Sequence, residues 1–296
     1  MGEKIVRQQY VKKLIMYVDS EKLRKNIPIT KDSRIEVIRC IKQKEIELYL
    51  DSVPDRGSGT IIISDNSDVC NKCKERSIPV ILFLHDEIRN HFFQIPYAIE
   101  NMNVLNMEYL ERVYRRYHGI PWDILETKRC ILREITVKDV EAVARIYESP
   151  AVGRFMEPLY SPIEKEKEYT RNYIKHVYEF YEYGTWIIIE KKQGNIIGRA
   201  GLESYDENEN GALELGYLIA EEYQRQGYGY EVCSAVLKFA EETLGITLID
   251  ANIEKENIAS LCLCKKLGFH FLKKIKKNGK EYDKYRFQRI PYNVQV

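Results

Sequence analysis

The chain has 296 residues, 44% hydrophobic and 31% charged, the balance of a soluble globular protein long enough for two self-sufficient cores. Its longest uncharged apolar runs, Leu14–Val18 and Pro79–Leu84, are too short to span a bilayer, and the N-terminus carries Lys4 and Arg7 without the apolar stretch of a secretory signal. Residues 1–129 hold 22 basic and 19 acidic side chains, and residues 130–296 hold 24 and 26, so neither part is the basic module that binding to a phosphate backbone demands.

The first fifty residues read as helical. Val6, Tyr10, Leu14 and Val18 recur at helical spacing, and Ile35, Ile38, Ile41 and Ile46 suggest a second amphipathic segment. The turn formers Pro54–Gly59 change the pattern. Thr60–Asp65 is a β-branched run expected as a buried strand, and Asp68–Arg76 follows as a polar helix. Pro79–Leu84 is a second strand and Tyr97–Glu100 a third. Asn106–His118 places Leu110, Val113, Tyr114 and Tyr117 on one helical face, and Gly119 and Pro121 stop it. Strands alternating with helices predict a small parallel, three-layer α/β unit, Rossmann-like in layout.

Ile120–Arg129 reads as a connection. Cys130–Ile135 is an alternating strand, Thr136 and Asp139 form a capping-box signature, and Val140, Val143, Ala144 and Tyr147 give the next helix its apolar face. A second helical region runs from Ile163 to Tyr181. Thr185–Glu190, Ile196–Leu202 and Leu213–Ala220 are expected strands, with turns at Gly194-Asn195 and Asp206–Gly211. A helix (Gly227–Leu244), a strand (Thr247–Ile253), a helix (Ile258–Leu267) and a hairpin closed by Asn278-Gly279 complete the chain. The fold class is therefore α/β: an accessory domain over residues 1–120, then a domain over residues 128–296 built on a mixed, largely antiparallel sheet.

The strongest local signal is Gln224-Arg225-Gln226-Gly227-Tyr228-Gly229, set between a strand and a long helix. Glycines there let the backbone approach a ligand, and the N–H groups at a helix N-terminus form an anion site. The Gly-Lys-Ser/Thr ending of a Walker loop is missing, as is the longer dinucleotide fingerprint. The loop follows Glu214-Leu215-Gly216-Tyr217-Leu218-Ile219. About thirty residues downstream Asn257-Ile258-Ala259-Ser260 opens a helix that ends in Leu267-Gly268-Phe269. From Cys130 to Phe287 this arrangement resembles the GNAT superfamily of acyl-CoA-dependent N-acetyltransferases. The Glu-Leu-Gly-Tyr strand, the Asn-x-Ala-Ser helix start and the Leu-Gly-Phe ending are similar to its ribosomal-protein N-terminal acetyltransferase branch.

The resemblance implies that the diphosphate of acetyl-CoA lies on the amides of Gln224, Arg225, Gln226, Gly227, Tyr228 and Gly229. The pantetheine arm would pair along Tyr217, Leu218 and Ile219, and Asn257 and Ser260 would face it. Asn257 is equally a favoured helix N-cap. The reaction needs a neutral amine, whose conjugate acid ordinarily has a pKa near lysine's, about 10.4. Glu214 is the candidate base and Glu203 the alternative. The N–H of Leu218 or Ile219 is the candidate for polarising the carbonyl. Many members of the family carry a tyrosine seven residues after the helix-opening asparagine; here Cys264 stands there, as a candidate acid or a packing residue, with Tyr223 and Tyr228 as other hydroxyl sources. The implied activity is acetyl transfer from acetyl-CoA to a primary amine of a small molecule or of a protein or peptide. The alternatives are a non-catalytic acyl-CoA sensor or scaffold, and an enzyme using a longer acyl-CoA.

The remaining motifs point elsewhere. Seven cysteines scattered from Cys40 to Cys264 make no disulfide framework and fit a reducing cytoplasm. Cys70-Asn71-Lys72-Cys73 lacks a second ligand pair and reads as helical packing, and His85, His91 and His118 lack metal-ligand spacing, so no metal is expected. The first unit resembles part of a haloacid-dehalogenase-like or flavodoxin-like sheet, with Asp65 at a strand end. No Asp-x-Asp pair follows, and its expected role is accessory. Lys273, Lys274, Lys276, Lys277, Lys280 and Lys284 make a basic hairpin that could attract an acidic substrate or RNA, with a solvated hairpin the default reading. Phe155, Tyr160, Tyr178, Tyr181 and Trp186 fall near the segments that form the family's acceptor side, with core packing the default.

Overall fold

The computed structural model describes residues 8–19, 34–86, 88, 95–181, 183–204, 211–277 and 279–289. Val6, His91, Asn278 and most of the Asp206–Gly211 turn lie outside them. The chain divides into two compact units, Met1–Trp122 and Asp123–Val296.

Among the described residues of the first unit the strands are β1 (Lys13–Tyr17), β2 (Glu36–Cys40), β3 (Thr60–Ser64), β4 (Val80–Phe83) and β5 (Ala98–Ile99). They form an all-parallel sheet in the order β2-β1-β3-β4-β5. The described helices that flank the sheet are α1 (Gln43–Ser52), α2 (Ser67–Glu75) and α3 (Met107–Tyr117). Leu14, Met16, Ile61 and Ile63 pack with Leu110 and Val113 of α3, while Ile15, Tyr17 and Ile62 pack with Ile46 of α1 and Val69, Cys70 and Cys73 of α2. Alternate residues of one strand thus feed opposite cores, which makes three layers. Burying each such side chain contributes about 1.5–3 kcal/mol relative to leaving it exposed. Cys70 and Cys73 are fully buried, and burial pushes each thiol up to about 12, so the pair packs and stays protonated.

Within the described part of the first fifty residues, the helical reading fails at β1 and β2 and holds only from Gln43. Leu14 to Val18 form a continuous apolar run because β1 sits between β2 and β3 and is covered on both faces. A run buried on both sides carries no period of its own, so a spacing of four within it is accidental. The isoleucine series is split: Ile38 lies in β2, Ile46 in α1, and Ile41 between them is exposed.

The second unit holds β6 (Asp123–Glu126), β7 (Cys130–Arg133), β8 (Thr185–Glu190), β9 (Ile196–Glu203), β10 (Leu213–Ile219), β11 (Leu248–Ile253), β12 (His270–Lys277) and β13 (Lys280–Gln288). The sheet order is β12-β13-β11-β10-β9-β8-β7-β6. Only β10 and β11 run parallel; every other neighbouring pair is antiparallel. The stretch expected as a connection therefore contains β6, paired on β7.

Four helices matter for the site: α4 (Val140–Tyr147), α5 (Ile163–Tyr173), α6 (Tyr228–Glu242) and α7 (Ile258–Lys266). The capping box ahead of α4 forms: the Asp139 carboxylate accepts from the Thr136 N–H at 2.7 Å and hydroxyl at 2.8 Å, and Arg133 grips it with two bonds of 2.8 Å. Leu218 packs with Ile146 of α4. Leu215 and Ile219, which point to the other face of β10, pack in the cluster of Val232 and Val236 from α6. Among the described residues no helix is long and apolar enough to cross a membrane.

Candidate active site

The site begins where two parallel strands part. β10 and β11 pair only at Leu213 with Ile249 and at Glu214 with Asp250, although β10 runs on to Ile219. Beyond Glu214 the strands separate. The Ala220 N–H donates to the Ile197 carbonyl on the β9 side at 2.8 Å, and backbone groups alternate along a strand. The polar groups of Leu218 therefore turn toward β9, and those of Tyr217 and Ile219 turn into the opening. Of the two amides expected to polarise a carbonyl, Ile219 faces the gap and Leu218 does not; Tyr217 joins it. The Ile219 carbonyl accepts from the Gln224 side chain at 2.9 Å, which ties the end of the strand to the loop after it.

That loop runs into α6. Arg225 (φ 58°) and Gly227 (φ 83°) are both left-handed, and Gly227 is the N-cap of α6 without a side-chain cap. Three other helices close their first turn with asparagine: Asn66 accepts from the Val69 N–H, Asn106 from Tyr109 and Asn257 from Ser260. The first-turn amides of α6 have no such side chain over them, which leaves them to an anion. The Gln226 side chain folds back to the Glu222 carbonyl at 2.7 Å.

The two glycines of the motif differ in purpose. A Cβ at Gly227 would meet only the Arg129 guanidinium at 3.5 Å, so this glycine is there for its left-handed φ. A Cβ at Gly229 would lie 3.3 Å from Leu263 and 3.7 Å from the Tyr217 ring. Gly229, inside α6, lets that helix approach α7 and β10 closely.

Glu214 sits at the apex of the splay. It lies directly across from Glu203 on β9, so the two carboxylates share a face. The Asn252 amide donates to Glu214 at 2.8 Å and the Lys277 ammonium stands 3.7 Å away. Burial raises the Glu214 carboxyl above its usual range, Lys277 pulls it down, and the Glu203 charge raises it further. Glu203 accepts from the Thr185 hydroxyl at 2.7 Å. On the same face Gly216 is exposed and a Cβ there would meet open space, so room remains beside Glu214 for an incoming group.

On the other side of the gap, the Tyr217 hydroxyl and Ser260 Oγ lie 2.9 Å apart, linking β10 to α7. Asn257 spends its side-chain oxygen capping α7. Cys264 is 2% exposed, and burial pushes its thiol up to about 12. A thiol held so far above the roughly 8.5 of a free cysteine is a poor proton donor. The Tyr228 ring is covered by Arg129 at 3.9 Å, and the Tyr223 hydroxyl accepts from Asn195 at 3.3 Å.

The lysine hairpin departs from its expectation, and the aromatic set meets its own only in part. Three hairpin lysines are turned onto carboxylates: Lys277 toward Glu214, Lys280 onto Glu254 at 3.1 Å and the buried Lys284 onto Asp250 at 3.4 Å. Asp250 is also gripped by Arg286 with bonds of 2.7 and 2.9 Å. In the aromatic set, Trp186 and Tyr178 are buried, Trp186 edge-on to Phe239 of α6; Tyr160 and Tyr181 are exposed. Among the described residues no group of histidine, cysteine and carboxylate side chains is placed to hold a metal.

A strand that splays from its parallel neighbour therefore lies beside a helix N-terminus with no side-chain cap. A family model described as an acetyltransferase (GNAT) domain matches residues 129–270. The uncharacterized N-acetyltransferase YoaA of Bacillus subtilis is 31% identical over 169 residues, covering 54% of this chain and 92% of YoaA. The uncharacterized N-acetyltransferase p20 of Bacillus licheniformis is 26% identical over 150 residues, covering 50% and 82%. Among solved structures, a GNAT-family acetyltransferase from Bacillus anthracis aligns with 21% identity and a TM-score of 0.45, over 55% of this chain and 95% of that one. A ribosomal-protein-S5-alanine acetyltransferase from Vibrio fischeri aligns with 17% identity and a TM-score of 0.48, over 55% and 95%. The chain belongs to the GNAT acetyltransferase family, and its second unit is the acetyltransferase domain.

Proposed function

We propose that the second unit moves an acetyl group from acetyl-CoA to a primary amine of a small molecule or of a protein or peptide, by direct attack in a ternary complex. The observation that carries this reading is the alignment of three features along one cleft. The uncapped α6 N-terminus stands at one end, the inward-facing amides of Tyr217 and Ile219 follow, and Glu214 closes the apex beside the open space at Gly216. A coenzyme of matching order, diphosphate then pantetheine then thioester, fits that sequence of groups.

Residues Gln224–Gly229 would hold the diphosphate, and Tyr217 and Ile219 would pair with the pantetheine amides. Ser260 and Asn257 border the arm from α7. Glu214, its carboxyl raised by burial, takes the ammonium proton directly or through water. The free amine then attacks the thioester carbon, the new N–C bond forms, and the oxygen charge is met by a strand amide. The attacking nitrogen sheds its second proton to water as the C–S bond breaks, and coenzyme A leaves as thiolate and takes up a proton from water, leaving the neutral amide and the free thiol. Glu203 adds a second carboxylate on the face of Glu214, which favours an acceptor that arrives as a cation.

The first unit takes an accessory, substrate-recruiting role. Its strand ends are occupied by its own side chains: Asp65 accepts from the Asp19 N–H at 2.7 Å and lies 3.0 Å from His85. The protein is assigned to the cytoplasm, in keeping with its unpaired cysteines.

The deciding experiment incubates the protein with isotopically labelled acetyl-CoA and a mixture of amines and peptides, and follows labelled products by mass spectrometry together with free thiol. Labelled amide and stoichiometric thiol are expected. Coenzyme binding without thiol release across the panel would make the unit a sensor.

A further inference from the structure

Arg129 stands immediately before β7, about a hundred residues upstream of the loop that it reaches. Its N–H donates to one oxygen of Glu231 at 2.7 Å and its Nε to the other at 2.6 Å. Its Nη1 donates to the Gln226 carbonyl at 3.0 Å, and its guanidinium lies 3.9 Å over the Tyr228 ring. The same group borders the position where a Gly227 side chain would begin, at 3.5 Å. One side chain thus touches the loop at three consecutive residues and the helix one turn on. Burial opposes ionisation of Glu231, but hydrogen bonds from Thr127 and Arg129 outweigh it and hold the carboxyl below its usual range, so the anchor keeps its charge at neutral pH.

The contact with Gln226 has a geometric consequence. The Gln226–Gly227 peptide is planar and trans, so its C=O and N–H point in opposite directions. Pinning the carbonyl on Arg129 turns the Gly227 N–H the other way, away from the guanidinium. Gly227 is left-handed and uncapped, and without the pin its peptide plane is free to rotate. We infer that Arg129 is a positioning residue for cofactor binding: it sets the peptide plane at Gly227, and with it the amide offered to the coenzyme diphosphate. The inference rests on the acetyl-CoA reading of this loop and adds to it a residue outside the motif. Tyr228, clamped between Arg129 and Tyr223, keeps the first residue of α6 in the same frame.

The test uses the full chain and its R129Q and R129K variants, each checked for folding by circular dichroism. Coenzyme A affinity is measured by calorimetry, and KM and kcat are measured with acetyl-CoA and with S-acetylpantetheine, which lacks the diphosphate. Losing one well-aimed charge-assisted bond should weaken coenzyme A binding of R129Q by about ten- to a hundredfold. The KM for acetyl-CoA should rise in step, kcat at saturation should stay within about twofold of wild type, and the KM for S-acetylpantetheine should be unchanged. R129K keeps the charge for Glu231 but cannot reach Glu231 and Gln226 together. It should fall between the two, and it carries the test if R129Q does not fold. Equal coenzyme A affinity in a folded variant overturns the inference, as does an equal loss with S-acetylpantetheine. Absence of coenzyme A binding by the wild-type chain overturns the cofactor reading itself.

Discussion

Both units contain a strand that runs into a helix at the carboxyl end of a sheet, and they finish that junction in opposite ways. After β3, Asp65 is buried between the Asp19 N–H and His85, and Asn66 caps α2 through its side chain. After β10, the cap is a left-handed glycine and no side chain covers the first turn of α6. The first junction satisfies its polar groups internally; the second leaves its first-turn amides without a side-chain cap, where the proposed diphosphate would lie. Nothing in the helix itself makes the difference, since both begin with the same orphan N–H groups. One side chain at the cap position decides whether a helix start is structural or receptive.

The sharpest way to break this contrast is to spoil the receptive junction. Gly227→Val removes the left-handed freedom with almost no new contact, so coenzyme A affinity should fall by about ten- to a thousandfold, with the loss of one or two charge-assisted bonds, while the far-ultraviolet spectrum stays native. Unchanged affinity by calorimetry would show that the loop is not the anion site. Gly229→Val should behave differently: its side chain meets Leu263 and the Tyr217 ring, so melting temperature should fall along with affinity.

The next effect concerns chemistry at the apex. Glu214→Gln should lower turnover by about a hundredfold or more near neutral pH and leave coenzyme A binding intact. The raised Glu214 carboxyl also sets a direction in pH. Below its folded pKa the base carries a proton, so wild-type activity should fall on acidification through a limb lying above the ordinary carboxylate range. A Glu214→Gln profile with the same limb would assign the base elsewhere, with Glu203→Gln the variant to compare.

Smaller effects test the structural side. Asp139→Ala removes the capping box ahead of α4 and leaves the Arg133 guanidinium with only the Glu134 carbonyl, and should cost about 2–4 kcal/mol in denaturant unfolding. Burial raises the Asp139 carboxyl, but Arg133 and Thr136 outweigh it and hold it below its ordinary value. The stability it supplies is therefore present above the unfolded pKa and fades as pH falls through the folded one. In Asp139→Ala that part of the acid dependence should vanish. Smallest is Asn66→Ala, which should destabilise the first unit by about 1 kcal/mol and leave coenzyme A affinity untouched. A loss of affinity there would mean that the two junctions are not independent.

Much of the second unit is legible from local chemistry. Its strands, the Thr136–Asp139 box, the Gln224–Gly229 loop and the Asn257 helix start are written in turn formers and caps whose preferences act over a few residues. The order of those elements along the chain is enough to identify the family. Local chemistry also separates Cys70 and Cys73 from redox or metal roles, because a buried helical face explains them without a second ligand pair.

What the tertiary structure decided lies in contacts that no window of sequence contains. β1 looked helical because a central parallel strand is apolar on both faces and so has no alternation to read. Arg129 and Glu231 meet across more than a hundred residues, and nothing near either marks the other. Glu214 owes its raised carboxyl to burial and its partners to β11 and β12, and the two glycines of one motif part company only once α7 packs against α6. Sequence determines what each segment prefers within a turn or two, because caps, turns and apolar periods are short-range forces. Which carboxylate is desolvated, which amide is left open and which arginine holds it are set by packing, because burial and charge act between elements that meet only in the folded chain.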